Sequence, residues 1–317
     1  MLKSFHLLGI HIPSYAFMLV LGLTAFFILF LYFFKSLRKE DSVTFNRLLF
    51  VTCVSIVCLG VSAFLFNSLF HSIEEKRIVL GGITWLGGFV GAIAAFLLMT
   101  HALVPKKRGY EAETLSVLMP GIALAHAFGR VGCFLGGCCY GKVSDSPLAV
   151  VYPSGSSAAK LYPNAEGTGS LPVLPIPLFE AGFELLLFFV LMLLAKKYSK
   201  YALSLYCGCY GTFRLIAEFF RGDSRGSVGG FLSPSQLLSI FLILFGVLLF
   251  LEMKGVALKK LHEKRMLAQR TSDALPITRL VTSRDAEILR DLHALFLDGV
   301  ISEEEYEDKK QKILERM

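Results

Sequence analysis

The chain alternates between long apolar runs and short polar connections. A helix needs about 20 apolar residues to cross about 30 Å of hydrocarbon. By that measure seven runs qualify, at 14–34, 47–70, 78–104, 114–139, 174–195, 201–220 and 231–252. Pro120, Gly121, Pro175 and Pro177 fall inside them, which bilayer helices tolerate when neighbouring groups re-satisfy the backbone. Beyond Met253 the pattern changes. Residues 254–270 are basic and amphipathic (Lys254, Lys259, Lys260, Lys264, Arg265, Arg270), suited to an anionic membrane surface, and 271–282 read as a linker. Leu289, Leu292, Leu295 and Phe296 then make a helical stripe that Gly299 breaks, and Ser302 with Glu305 is a capping box opening a second helix. The expected organisation is a seven-helix membrane domain at 1–253, a basic segment with linker at 254–282 and a two-helix module at 283–317.

Composition agrees and narrows the class. Of 317 residues 54% are hydrophobic and 18% charged, against roughly a quarter charged in a soluble domain, so an ordinary soluble enzyme, a coiled coil and a disordered chain are excluded. The net charge of +7 matters less than where the cations sit. Lys35, Arg38, Lys39 and Arg47 flank the first connection, Lys106, Lys107 and Arg108 fill the third, and Lys196, Lys197 and Lys200 the fifth. The N-terminus and the other connections (71–77, 140–173, 221–230) are far sparser. The positive-inside bias therefore predicts an all-α polytopic membrane protein with its N-terminus outside and its C-terminus, with the small helical hairpin, in the cytosol.

An ionisable side chain inside a bilayer helix costs about 2.5–3.5 kcal/mol, so each one is a functional suspect. Here they are Arg130, Glu180, Glu184, Arg214 and Glu218, with His126 and His101 as titratable rings. Arg130 lies about 14 Å below the outer end of its helix, and Arg214, Glu180 and Glu184 come to a similar depth. Tyr15 opens the first helix from the same side. Gly87, Gly88 and Gly91 let a ligand or another helix approach there. His101, near the inner end, is the outlier, and Trp85 reads as an interfacial anchor or core filler. Arg214 and Glu218 share a face at i,i+4 and Arg221 continues it. Arginines facing a cavity in lipid suit a phosphate, which guanidinium binds bidentately, although structural ion pairs alone also account for them. The 140–173 connection, rich in Pro, Gly and Ser, reads as a lid over the site or as a spacer.

Two segments carry a resemblance: GRVGCFLGGCCYG (Gly129–Gly141) and FRLIAEFFRGD (Phe213–Asp223). Together they resemble the prolipoprotein diacylglyceryl transferase family, whose signature is close to G-R-x-G-N-F-x-N-G-E-x-x-G followed later by R-F-x-x-E-F-x-R. PSYAFML around Tyr15, LGGFVG, LPIPLFEA and SPSQLLSI match other family segments in order, so the likeness covers roughly 10–252. The terminal module resembles the short C-terminal domain, read as an oligomerisation or docking piece or as an inert hairpin. The resemblance implies a bacterial inner-membrane, multi-pass enzyme. It would move the diacylglyceryl group of phosphatidylglycerol to the lipobox cysteine of a prolipoprotein signal peptide, releasing glycerol phosphate. By match, Arg130, Arg214 and Arg221 bind the headgroup phosphate, Glu218 orients Arg214, and Tyr15, Gly87, Gly88, Cys133, Gly137, Gly141 and Glu180 complete the substrate site. No metal, cofactor or nucleic acid is expected.

The departures are specific. Cys133 and Gly136 stand where the signature has Asn, Cys138 where it has Glu, and Leu86 where the family has His before its paired glycines. His126, one turn before Arg130, is the nearest replacement base, and it also reads as a satisfied core histidine. For Cys133, Cys138 and Cys139 three readings are open: packing, a redox pair, or a soft metal; Cys207 and Cys209 lie deeper. The rival functions are a related enzyme with another acceptor, a lipid-binding or transport protein, and a thiol-redox protein.

Overall fold

The structure, a computed structural model, describes residues 4–7, 10–104, 110–195, 199–223, 232–255 and 283–316. It forms two compact units, residues 1–251 and 252–317. Most of the basic segment and all of the linker expected at 254–282 lie outside the described residues.

The first unit opens with an antiparallel hairpin, β1 (Ser4–Leu7) on β2 (Ile10–Pro13), in register Ser4 to Pro13. The apolar-run reading did not anticipate it. Helix α1 (Ser14–Leu31) continues through a π-helical turn, Tyr32–Leu37. Helix α2 (Ser42–Glu75) is capped by Asp41, whose carboxylate accepts from the Thr44 N–H at 2.9 Å, and stops at Lys76 in a left-handed conformation. Helix α3 (Trp85–Leu103) starts seven residues later than the run at 78–104 predicts. The left-handed Gly82 breaks the helix there, and 78–84 instead folds along α2, where Asn67 Nδ2 donates to Gly81 O and Thr84 Oγ1 donates to Asn67 Oδ1. Helix α4 (Tyr110–Gly136) contains Pro120, and Gly121 beside it seats Phe26 of α1.

The 140–173 connection is neither bare spacer nor open loop. It holds a short helix α5 (Ser157–Leu161), capped by Ser156, and its own small core of Tyr140, Tyr152, Ala158 and Val173. Isolated bridges such as Val150 with Val173 tie it together. Helices α6 (Ile176–Ala195), α7 (Ala202–Glu218) and α8 (Pro234–Gly255) follow. Ser204 Oγ of α7 donates to Gly246 O of α8 at 2.6 Å.

Six described helices are long and apolar enough to cross a membrane: Ser14–Leu37, Ser42–Ile73, Trp85–Leu103, Tyr110–Gly136, Ile176–Ala195 and Pro234–Gly255. The remaining run, 201–220, forms α7, whose 17 residues span about 26 Å and carry a polar face. The bundle core is phenylalanine-rich, with Phe26, Phe30, Phe34, Phe89 and Phe96 buried. Val20, Ile28, Val57, Leu186, Phe189, Leu193, Leu244 and Leu248 are exposed along the helix exteriors. A soluble monomer does not present that much apolar surface, so this is the architecture of a multi-pass membrane protein.

The second unit contains α9 (Ser283–Leu297) and α10 (Glu303–Arg316). Gly299 turns the chain at φ +70°, and the Ser302–Glu305 capping box is reciprocal, each side chain accepting the other's backbone N–H. Phe296 stacks on Tyr306 at 4.9 Å and Leu292 is buried between the helices.

Candidate active site

Three helices each contribute an i,i+4 pair to one buried cluster: His126 and Arg130 from α4, Glu180 and Glu184 from α6, Tyr206 and Tyr210 from α7. Spacing of four stacks each pair on one helix face, and the mutual packing of α4, α6 and α7 turns the three faces together. Glu180, Glu184, Tyr206 and Tyr210 are wholly buried, His126 and Arg130 nearly so.

The contacts form a continuous chain. Arg130 Nη2 lies 3.0 Å from Glu180 Oε1, which also accepts from Tyr210 Oη at 2.8 Å. Arg130 Nε donates to His126 Nε2 at 3.0 Å, and His126 Nδ1 lies 2.6 Å from Glu184 Oε1. Glu184 also accepts from Tyr206 Oη at 3.1 Å. With Nε2 accepting, the network assigns the proton of a neutral imidazole to Nδ1. Trp85 stacks on the imidazole, ring centroids 4.2 Å apart and planes at 22°. That makes Trp85 a wall of the site.

Both nitrogens of His126 are engaged. In this geometry neither nitrogen of His126 is free to take a proton from a thiol, because Nε2 already holds Arg130 and Nδ1 faces Glu184. The ring fixes the rotamer of Arg130. His101 is remote from the cluster's contacts and exposed, with Nδ1 2.7 Å from Glu111 Oε1.

A second group sits at the end of α7. Arg214 Nη1 is 2.6 Å from Glu218 Oε2, and its Nη2 donates to Ser235 Oγ of α8. Glu218 Oε1 accepts from Ser233 Oγ at 2.8 Å. Arg221 grips Asp223 with two bonds, Nε to Oδ1 at 2.9 Å and Nη2 to Oδ2 at 2.6 Å, while its Nη1 is buried without a hydrogen-bond partner among the described residues. Glu180 lies within electrostatic reach of Arg130, Arg214 and Arg221, so the two groups share one field. The charge of the three arginines is largely balanced: Arg130, Arg214 and Arg221 each face a carboxylate.

Beside the first group lies a cavity of about 430 Å³ between α1, α2, α3 and α4, within the range of small-molecule sites. Its walls are apolar (Leu19, Phe26, Ile56, Phe96, Leu118), and Tyr15, His126, Arg130, Cys133 and Cys139 form its polar end. A guanidinium has five N–H groups. Arg130 commits Nε and one Nη2 hydrogen to its partners, so the remaining edge can donate to an anion entering the cavity.

The glycines have other occupations. A Cβ on Gly87 would strike Phe66 and one on Gly88 would strike Leu59 O, so α2 fills the space, and neither glycine lines the cavity. Of ligand or helix, a helix is what approaches them. Gly137, at φ +75°, bends the chain out of α4 against Ser156 and Tyr152. Gly141 packs on Leu174 and Ile176, its N–H donates to Leu174 O, and it bridges to Arg221, fastening the 140–173 connection to the end of α7. Within that connection, burial and nearby thiols push the Tyr152 phenol above its ordinary range, and burial with Asp223 raises Tyr140.

Glu184 was legible as a buried charge, but Tyr206, Tyr210, Trp85, Ser233, Ser235 and Asp223 were not read as site residues. The two tyrosines were accessible: stepping back by four from Arg214 along its face reaches 210 and then 206.

A family model described as prolipoprotein diacylglyceryl transferase matches residues 3–252, and one described as short C-terminal domain matches 289–314. The chain is 32% identical over 252 residues to a phosphatidylglycerol–prolipoprotein diacylglyceryl transferase of Clostridium tetani, covering 78% of this chain and 95% of the relative. It is 30% identical over 248 residues to phosphatidylglycerol–prolipoprotein diacylglyceryl transferase 2 of Clostridium perfringens, covering 76% and 91%. A like-named protein of Francisella tularensis is 36% identical over 178 residues, 54% of this chain and 60% of that one. The buried α4–α6–α7 cluster and the cavity beside it lie within the matched region, and the chain belongs to the prolipoprotein diacylglyceryl transferase family.

Proposed function

We propose that this protein transfers the diacylglyceryl group of phosphatidylglycerol to the lipobox cysteine thiol of prolipoproteins, forming a thioether and releasing glycerol phosphate. The observation that carries this reading is a single spare guanidinium edge, that of Arg130, at the polar end of an otherwise apolar cavity of about 430 Å³. That polarity suits a lipid with one anionic group: acyl carbons along the walls, phosphate at Arg130.

The acceptor sulfur attacks the glyceryl carbon that bears the phosphate ester. The C–S bond forms as the C–O bond breaks, the thiol proton passes to water, and the phosphate leaves with the electron pair. Arg130 meets the charge growing on the leaving oxygens, a kind of stabilisation worth about 2.7–4 kcal/mol per donor. Arg221 Nη1 supplies further donors, and Arg214, held by Glu218, adds positive field. His126 and Glu180 hold Arg130 in place, and Tyr15 lines the polar end of the cavity beside it. Gly137 and Gly141 act through the backbone they bend.

In the bilayer α7 is the sixth of seven spans, with flanking residues making up its short apolar length. The lysine and arginine bias places the N-terminus outside and α9–α10 in the cytosol of a bacterial inner membrane. The 140–173 connection then covers the site from outside, where secreted precursors arrive.

The test is replacement. The gene is expressed in bacteria depleted of their own transferase, and a lipobox substrate is followed by gel shift. Restored modification supports the reading; none, despite membrane insertion, overturns it.

A further inference from the structure

Cys133, Cys138 and Cys139 stand where the family signature is otherwise Asn, Glu and a free position, and the structure gathers them. Their Sγ atoms all lie within 4.8 Å of one another. The turn that does this is built for it: Gly137 leaves α4 at φ +75°, and Cys139 itself adopts φ +61°. A non-glycine residue in that region costs about 1–2 kcal/mol, and the conformation brings the third thiol back onto the other two. Cys138 N–H donates to Cys133 O, which closes the turn. Three sulfurs bound to one zinc at about 2.3 Å stand about 3.8 Å apart, so the cluster reaches coordinating distance by side-chain rotation.

The surroundings match a bound cation. Tyr152 is fully buried, its hydroxyl has no hydrogen-bond partner among the described residues, and it lies within electrostatic reach of all three thiols. Arg130 and Arg221 are also in reach of the cluster. Three thiolates around a divalent ion leave one net negative charge, which the field of these two arginines, each also paired with a carboxylate, partly offsets. Among the described residues no fourth His, Cys or carboxylate joins the group. A closed structural zinc site has four protein ligands, whereas three leave a position open for chemistry. Cys133 and Cys139 line the cavity that Arg130 also lines.

We propose that Cys133, Cys138 and Cys139 form a three-thiolate site for a thiophilic divalent cation, zinc above all, whose fourth position holds the acceptor thiol. The metal site stands on its own geometry; the role of holding the acceptor rests on the transferase reading. A coordinated thiol is deprotonated outright, its proton passing to water. Its sulfur then forms the bond to the glyceryl carbon as the phosphate departs. This supplies an activated thiolate in a chain where Leu86 replaces the family His and both nitrogens of His126 are engaged.

The experiment uses the full-length protein, reduced, in detergent. Cobalt(II) titration is expected to give a stoichiometric thiolate-to-cobalt charge-transfer band that C133A/C138A/C139A lacks. No band, or the same band in the triple variant, overturns the site. Bound zinc is also expected to shield these three thiols of the unsubstituted protein from alkylation, read by mass spectrometry, and unshielded thiols overturn it too. For the role, chelation is expected to lower transfer by about tenfold or more, with zinc restoring it. Undiminished transfer by metal-free protein overturns the role and leaves the transferase reading standing. Absent transfer despite an intact cobalt band overturns the transferase reading, and the acceptor-holding role with it.

Discussion

Replacing Arg130 by Lys keeps the charge and removes the geometry. Lys can neutralise Glu180, 3.0 Å from the guanidinium, but a single ammonium cannot also donate to His126 Nε2 and face the cavity. His126 Nε2 then loses its donor in a site the ring shares with less than a tenth of its surface exposed. Leaving one buried acceptor unmade costs about 1–3 kcal/mol. That strain falls on the protein as a whole and is tolerable, because Glu180 keeps a cation. The larger loss is in the reaction. Removing one preorganised donor from a developing anion costs about 2.7–4 kcal/mol, or about 10²–10³ in turnover. R130K is therefore expected to insert and purify like the parent while its transfer rate, measured on phosphatidylglycerol vesicles with a lipobox peptide, falls by about 10²–10³. R130A should be worse in both respects, since it removes the cation paired with buried Glu180, a change of the kind that costs about 3–5 kcal/mol. R130K retaining more than about a tenth of the rate would show that charge alone suffices, and the positioning argument would fail.

Other outcomes separate packing from chemistry. Gly88→Val forces a side chain into Leu59 O of α2, so it should cost about 1–3 kcal/mol of thermal stability in detergent while the apparent affinity of the surviving protein for phosphatidylglycerol holds. A selective loss of affinity would instead return Gly88 to the lipid site. Tyr210→Phe removes one donor from Glu180 Oε1, and a stability loss of about 1–3 kcal/mol with a lesser fall in rate is expected from chemical denaturation and kinetics run together. Deleting 283–317 removes helices that pack on one another in a separate compact unit, so transfer by the remaining chain should stay within about twofold of the parent, and a larger fall would tie the module to catalysis.

Much of the bundle could be read from hydropathy because lipid leaves a helix few alternatives. The failures are local. The run at 78–104 is apolar throughout, yet Gly81 and Gly82 supply backbone angles that a helix cannot use, and α3 waits until Trp85. The N-terminal hairpin has too few residues for its alternation to register against the apolar run that follows. At the site, sequence singled out the charges because a charge in lipid is conspicuous. It could not say which partner each would take: His126, read both as a candidate base and as a satisfied core histidine, accepts from Arg130. Tyr206 and Tyr210 escaped notice because a tyrosine in a membrane helix is ordinary until a carboxylate faces it. The cysteines were visible as a departure from a pattern, while their gathering depends on the left-handed turn at Cys139.

The central claim is a reaction, and purified components test it most directly. The full-length protein is mixed with vesicles containing phosphatidylglycerol and a peptide bearing a lipobox cysteine, and the peptide is weighed by mass spectrometry. The account predicts that the peptide gains one diacylglyceryl group through its sulfur, with glycerol phosphate released in equal amount. A peptide left unchanged, or one modified equally when its cysteine is replaced by serine, would contradict it.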